Sequence, residues 1–172
     1  MDSITQAALG AAIGKAIFRK ENNGTIAGAA IATIPDLDVI LYFFFEPYDM
    51  LSIHRGLSHS LLFCFVFSIV MGLVLKRTKW FQSHSLPLLF AFVGLVYFTH
   101  ILLDVFTTYG TQLWLPFSNE RVGFDSINVV DPIYTIPLLF GVILSIIFIQ
   151  KNRQIAFNHR GLIISSAYLV FT

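Results

Sequence analysis

The sequence predicts an all-α membrane protein, organised as a multi-pass bundle of transmembrane helices. Of its 172 residues, 56% are hydrophobic and only 12% are charged, whereas an average soluble domain is roughly 45–50% apolar and about 25% charged. Several apolar runs approach the roughly 20 residues that an α-helix needs to cross about 30 Å of hydrocarbon. Because no linker-like stretch divides the chain, we expect residues 1–172 to form one membrane-embedded domain.

The N-terminal part of the chain is expected to be helical but irregular. Ser3–Phe18 is rich in Ala and Gly, and its Gly10 and Gly14 have the small-xxx-small spacing that allows close helix contact. The next apolar stretch, Thr25–Phe45, contains a proline that disfavours helical geometry at the residue before it. We therefore predict a broken helix at Pro35–Asp38, of the kind tolerated at membrane depth where it lines a polar cavity.

Longer apolar runs follow and are the predicted membrane spans. They are Leu57–Leu75, Leu86–Phe106 and Ile133–Ile149, and a fourth begins at Gly161. The fourth run is still apolar at Thr172, where the sequence stops. We therefore expect this last helix to be either a partial segment or one cut within its length.

The charges indicate which side of the membrane each loop faces. Threading the chain through these spans places the basic segments Lys15–Lys20, Lys76–Lys79 and Lys151–Arg160 on one side, which the positive-inside rule assigns to the cytoplasm. The other side is rich in Asp and carries Arg55 and Arg121 as its only cations. We therefore expect this acidic end to face the periplasm or exterior of a bacterial inner membrane.

Composition also excludes several classes of partner and site. With a net charge of +1 and no basic stripe, we predict no nucleic-acid binding, so the expected surroundings are the lipid bilayer. The single cysteine, Cys64, excludes a disulfide or a cysteine-based zinc site within one chain. The sequence makes no prediction of oligomeric state.

Two pairs of ionisable residues interrupt the apolar runs. His100 and Asp104 are four residues apart and project from one helix face, which suits two ligands of one metal ion. Placing an ionisable residue in a membrane segment costs free energy, so such a residue is a functional candidate. The structural alternative for this pair is a His–Asp hydrogen bond that joins two helices. Asp36 and Asp38 follow the proline break, and helix capping could account for one of these two carboxylates.

The acidic end contains further candidates. We expect His54 to lie in the loop before the apolar run Leu57–Leu75 and His59 in the first turn of its helix. Imidazole together with carboxylate suits zinc first, with manganese or iron as alternatives. Arg55 and Arg121 either balance nearby carboxylates or grip phosphate oxygens as planar forks. Asp131, which precedes a proline, is a good helix cap.

With these residues assembled, the chain resembles the membrane-bound metal-dependent hydrolases of the LexA-binding, inner-membrane-associated type (YdjM-like). The resemblance covers most of the chain. It rests on Asp2-Ser3-Ile4-Thr5-Gln6, Pro35-Asp36-Leu37-Asp38, His54-Arg55-Gly56-Leu57-Ser58-His59-Ser60, His100-Ile101-Leu102-Leu103-Asp104 and Asp131-Pro132-Ile133-Tyr134. That family is distantly similar to the zinc-dependent phospholipase C and P1-type nuclease group, which cleaves phosphate esters.

The resemblance implies a set of metal ligands. They are Asp36 or Asp38, His54 or His59, and both His100 and Asp104, with Asp2, Gln6 and Asp131 as further candidates. Some relatives carry Thr-His where this chain has Thr5-Gln6, and glutamine is a poorer ligand. Because no histidine lies in Thr107–Asp131, we do not expect a complete three-zinc site.

The resulting prediction is a membrane-embedded metallohydrolase of a phosphoester, with lipid as one candidate substrate. Asp36 or Asp38 would act as general base, and Arg55 or Arg121 would stabilise the developing negative charge. The alternative is a non-catalytic membrane protein that binds, transports or assembles around a metal ion. A carrier needs a polar path across the membrane, and the long apolar runs offer few ionisable residues for one.

Overall fold

Helices make up almost all of the regular structure in the computed structural model, which describes residues 1–19, 21–43, 55–148 and 150–172. The α-helices are α1 Ser3–Ile17, α2 Asn22–Thr33, α3 Leu61–Lys76, α4 Leu86–Val105, α5 Pro132–Ile147 and α6 Lys151–Phe171. Two 3-10 helices, η1 Pro35–Phe43 and η2 Leu57–His59, lie between α2 and α3. Over these residues, β structure is limited to isolated bridges. The predicted all-α class is confirmed.

Helices α1 and α2 pack with their backbones almost in contact. A Cβ atom added at Gly10 would lie 2.2 Å from the Gly28 carbonyl oxygen, and one at Gly14 would lie 1.9 Å from the Gly24 carbonyl oxygen. Only glycine permits this approach. The packing role predicted for Gly10 and Gly14 is confirmed.

The helix break at Pro35 is also confirmed, although its local cause differs from the predicted one. Helix α2 ends at Thr33 and η1 begins at Pro35, yet Ile34 keeps helical dihedral angles (φ −61°, ψ −41°). Proline has no N–H to donate to the preceding turn, and the chain continues with 3-10 bonds, beginning with Leu37 N–H to the Ile34 carbonyl at 3.0 Å. The change of hydrogen bonding, rather than an extended Ile34, breaks the helix.

One helix of the described chain, α4, is long and apolar enough to cross a membrane, and α3 and α5 are shorter apolar helices of 16 residues each. Two predicted boundaries are wrong. The α-helix predicted from Leu57 starts at Leu61, because η2 and the cap Ser60 come first. Helix α6 begins at Lys151, so Gly161 lies within this helix and not at its start. The Lys, Arg and Gln residues before Gly161 lower the hydropathy of that segment, but these residue types favour helix formation. The multi-pass arrangement stays a prediction.

Helix α1 packs against α2, α4, α5 and α6, and helix α4 packs against α1, α2 and α3. Residues Phe92, Val93 and Tyr97 of α4 are fully buried. The loop that follows α4 is held by two isolated bridges, Thr107 with Ile127 and Thr111 with Val122. The C-terminal end of α4 therefore meets this loop, η1 and η2 at one place, where the candidate site lies.

Candidate metal centre

Four ionisable side chains from three separate elements converge beside the C-terminal part of α4. They are Asp36 from η1, His59 from η2, and His100 and Asp104 from α4. Ligand atoms from these side chains all lie within 4.8 Å of one another. The side chains of His59, His100 and Asp104 are fully buried, whereas that of Asp36 is 19% exposed. Asp36 is therefore the member of the cluster that solvent can reach.

The four ligand atoms are close enough to one another to share one metal ion. His59 Nε2 lies 3.2 Å from His100 Nε2 and 3.3 Å from Asp104 Oδ2. Asp36 Oδ1 lies 3.7 Å from His59 Nε2 and 3.4 Å from His100 Nε2, and Asp104 Oδ2 lies 3.5 Å from His100 Nε2. Zinc–ligand bonds of about 2.0–2.1 Å in tetrahedral geometry separate ligand atoms by about 3.3–3.4 Å. The ligand atoms of His59, His100 and Asp104, 3.2–3.5 Å apart, thus have the spacing of neighbouring zinc ligands, and these ligand types also suit iron and manganese.

A carboxylate oxygen of the cluster also lacks a donor. Within the described part of the chain, Asp104 Oδ2 is a buried atom with no hydrogen-bond partner. An unsatisfied buried polar atom costs about 1–3 kcal/mol or more when charged, and a bound cation would remove that cost. The donor set and this oxygen fit a divalent cation.

Both imidazoles are oriented so that Nε2 faces the cluster. His100 Nδ1 lies 2.6 Å from the Ala32 carbonyl oxygen, which can only accept, so Nδ1 carries the proton. His59 Nδ1 lies 2.9 Å from the Ser58 hydroxyl, which donates to Asp38 Oδ2 at 3.2 Å. Asp38 therefore lies behind His59, 3.8 Å from Nδ1, and Asp36 is the carboxylate of this segment that enters the cluster. Such partners fix the tautomer of metal-binding histidines.

The second oxygen of Asp104 is surrounded by cationic and amide donors. Asp104 Oδ1 contacts the amino group of Met1. It also lies 3.3 Å from Gln6 Nε2 and 3.4 Å from an Arg55 guanidinium nitrogen. The same Gln6 amide donates to the His100 carbonyl oxygen at 3.2 Å. Gln6 thus braces Asp104 and His100 rather than joining the four ligand atoms.

The Arg55 guanidinium lies beside the cluster, 3.4 Å from Asp104, and the charge of Arg55 acts on Arg121. Arg55 is 4% exposed, adopts a left-handed backbone conformation (φ 57°), and donates to the Thr107 hydroxyl at 2.8 Å. Its guanidinium carbon lies 5.5 Å from the centre of the Tyr109 ring. Burial and the positive charge of Arg55 lower the pKa of the more exposed Arg121, so each guanidinium lies in the field of the other.

The Asp36 carboxyl is held in its ionised form. Burial raises the pKa of Asp36, but the His100 and His59 imidazoles outweigh burial and hold that pKa well below its usual range.

The remaining candidates lie elsewhere. Asp2 caps α1 by accepting from the Thr5 N–H at 3.0 Å. Asp131 caps α5 and accepts from the Tyr168 hydroxyl at 3.0 Å. The structure brings neither carboxylate into the cluster, and His54 lies outside the described residues.

Several contributors to the site were not singled out by sequence reasoning. The Ala32 carbonyl, the Ser58 hydroxyl and the Thr107 hydroxyl position His100, His59 and Arg55 respectively. Ser58 and Ser60 can both cap a helix, and in the structure Ser60 caps α3. Adjacency to His59 was the available signal for Ser58, whereas a backbone carbonyl leaves no signal in the sequence.

Comparison with known proteins places the chain in a family. The family model described as YdjM inner membrane protein matches residues 1–172. The chain is 37% identical over 97 residues to inner membrane protein YbcI of Escherichia coli (strain K12), covering 55% of this chain and 54% of that protein. It is 28% identical over 145 residues to the uncharacterized protein YfhP of Bacillus subtilis (strain 168), covering 84% of this chain and 43% of that protein.

The chain thus spans about half the length of these relatives. No solved structure matches it. The family match covers the entire chain and supports a location in the inner membrane. The chain belongs to the YdjM inner membrane protein family.

Proposed function

We propose that the protein is a membrane-embedded, metal-dependent hydrolase of phosphoesters that acts at the outer face of the inner membrane. The observation that carries the proposal is the convergence of Asp36, His59, His100 and Asp104 within 4.8 Å of one another, with an Arg55 guanidinium nitrogen 3.4 Å from Asp104. A metal-binding cluster beside the Arg55 guanidinium combines two features that phosphate-ester cleavage needs, a site for a Lewis acid and a cation for the phosphate oxygens.

The burial of the four side chains suggests how they divide their roles. Catalytic zinc sites use three protein ligands and leave a fourth position open, whereas structural sites are closed. His59, His100 and Asp104 are the fully buried members, and we assign them to hold the ion. Asp36 is the exposed member, so it stands at the open position and acts as the general base.

In this mechanism the chain's residues bind the phosphate and move one proton. A bound divalent ion would lower the pKa of water toward about 7 and polarise a phosphoryl oxygen. Asp36 accepts a proton from the attacking water while the water oxygen bonds to phosphorus. The ester P–O bond breaks in the same reaction, and the leaving alcohol takes its proton from solvent. Arg55 and Arg121 stabilise the negative charge on the phosphoryl oxygens. Asp38 keeps His59 in the metal-binding tautomer through Ser58.

The rival function is a membrane protein that binds, transports or assembles around a metal ion without turnover. Four protein ligands around one point would suit a closed, non-catalytic site. A carrier, however, needs polar groups along its path. Between Gln6 and the buried Lys15, about 13 Å along α1 at 1.5 Å per residue, the sequence has only Ala, Leu, Gly and Ile, which favours the enzyme.

The test separates metal binding from turnover. Detergent-solubilised protein would be loaded with zinc, manganese or iron and assayed on phosphomonoesters, phosphodiesters and phospholipids, with metal content measured by elemental analysis. We expect His100→Ala to lose most of the metal. We expect Asp36→Asn to retain metal but lose roughly 10²-fold or more of its activity, the scale of general acid–base help. Asp131→Asn is the matched control, because asparagine also caps a helix and Asp131 lies outside the cluster.

The two functions give opposite results in this assay. If the loaded wild type binds metal but hydrolyses none of the phosphoesters, the rival function is correct. Equal loss of activity in Asp36→Asn and Asp131→Asn would show that the carboxylates act on stability and not on the reaction.

A further inference from the structure

An apolar groove runs between α3 and α4 on the outside of the bundle. It encloses about 550 Å³, within the range of about 300–1,000 Å³ found for ligand sites. Its lining includes Leu61, Cys64 and Ile69 from α3 and Phe90, Gly94 and Phe98 from α4. The spacing of these residues puts each set on a single helix face. The absence of a side chain at Gly94 keeps the groove open, since a Cβ there would lie 3.2 Å from the Ser68 hydroxyl.

The polar atoms in this groove are already engaged. The Ser68 hydroxyl donates to the Cys64 carbonyl oxygen of its own helix at 2.6 Å. The Cys64 thiol lies 3.9 Å from the Gly94 carbonyl oxygen. A ligand of this groove therefore gains from apolar contact alone, which describes a hydrocarbon chain.

The groove begins beside the metal centre. Leu61, which lines the groove at the first residue of α3, is two residues from His59. The buried Tyr97 of α4 donates from its hydroxyl to the carbonyl oxygen of Ser58, the residue before His59, at 2.8 Å. From Phe98 to Phe90 the groove follows α4 for about 12 Å at 1.5 Å per residue. Helix α4 is long and apolar enough to cross a membrane, so the groove extends from the site toward the hydrocarbon.

We propose that this groove binds an acyl chain of a membrane phospholipid whose phosphate reaches the metal centre. The inference about the phosphate rests on the proposed function, whereas the binding of the chain does not. The occupant is a lipid chain because α4 belongs to an inner membrane protein and its outer side faces acyl chains wherever it crosses the bilayer. Phe65 and Phe98, which border the groove, are 65% and 43% exposed and would contact the same chain.

The test uses a phosphatidylglycerol that carries a photoreactive diazirine in one acyl chain. Full-length protein in detergent micelles would be mixed with less than one equivalent of this lipid, irradiated, and mapped by peptide mass spectrometry. Two tryptophan variants of neighbouring residues form the matched pair. Ile69→Trp places a bulky ring in the groove, whereas Val70→Trp places it at a 53% exposed position outside the groove.

We expect cross-links to concentrate on residues 61–69 and 90–98. Ile69→Trp should lower their yield about tenfold, equivalent to about 1.4 kcal/mol of binding, while Val70→Trp should leave the yield close to that of the wild type. Ile69→Trp should also raise the KM for a long-chain phospholipid without changing turnover of a water-soluble phosphodiester.

Cross-links spread evenly over the exposed helices, or equal effects of the two variants, would overturn the proposal. A cross-linked dimer that covers the groove would overturn it in favour of a second copy of the chain. Groove cross-links in a protein without hydrolase activity would refute the proposed function alone. Hydrolysis of water-soluble phosphodiesters without groove cross-links would refute the acyl-chain site alone.

Discussion

Two serines separated by one residue should respond differently to the same substitution. Ser58 accepts from His59 Nδ1 at 2.9 Å and donates to Asp38 at 3.2 Å, so its hydroxyl orients a metal-binding imidazole. Ser60 accepts from the Phe63 N–H at 3.1 Å and thereby caps α3. Replacement by alanine removes an orienting contact in the first case and a helix cap in the second.

The expected magnitudes follow from these contacts. Loss of a residue that orients a metal ligand typically weakens metal affinity 10–100-fold, or about 1.4–2.7 kcal/mol, so Ser58→Ala should raise the Kd for zinc by that factor. Loss of a serine cap costs about 0.5–2 kcal/mol of stability, so Ser60→Ala should lower the Tm of the metal-free protein. The Ser60→Ala protein that remains folded should bind zinc with the wild-type Kd.

The assay is a competition titration with a chromophoric chelator, followed by thermal unfolding of the metal-free protein. Ser58→Ala keeps its backbone carbonyl, so the contact from the Tyr97 hydroxyl is retained, and its metal-free Tm should change little. An unchanged zinc Kd in Ser58→Ala would refute the reasoning that places His59 in the metal centre. Equal weakening of zinc binding in both variants would show that the affinity reports only the stability of this segment.

Three further predictions concern topology, packing and anion binding. In a Cys64→Ser background, a cysteine at Asn119 should react with a membrane-impermeant thiol reagent in cells with a permeabilised outer membrane, while one at Ser83 should not; the reverse pattern would place the site in the cytoplasm. Gly14→Ala should destabilise the protein by at least the roughly 1–3 kcal/mol of ordinary overpacking, measured by thermal unfolding, because its Cβ would meet a carbonyl oxygen of α2; an unchanged Tm would contradict the close helix contact. Arg121→Lys should lower kcat at saturating metal, because an ammonium cannot reproduce a planar fork on phosphate, and unchanged kinetics would exclude Arg121 from phosphate binding.

Local features of the chain were predictable from the sequence alone. The span predicted at Leu86–Phe106 corresponds to α4, Leu86–Val105, because length and apolarity are properties of the run itself. His100 and Asp104 share a helix face because of the helical repeat. The break at Pro35 follows from the missing proline N–H, which depends on no distant residue.

Helix boundaries were less predictable because neighbouring residues offer equivalent local signals. Ser58 and Ser60 both precede an apolar run and can both cap a helix, and the structure uses Ser60. The start of α6 at Lys151 was missed because hydropathy marks apolar residues, whereas helix formation also continues through Lys, Arg and Gln.

The sequence by itself determined an apolar helical chain, a proline break and a set of metal-binding residue types at one end. Only the tertiary structure decided that Asp36 enters the cluster while Asp38 lies behind His59. It likewise supplied the Ala32 carbonyl, 68 residues away in sequence, as the partner of His100 Nδ1. The physical reason is that a metal centre requires ligand atoms within a few ångströms, and the packing of η1, η2 and α4 sets that spacing rather than any single segment.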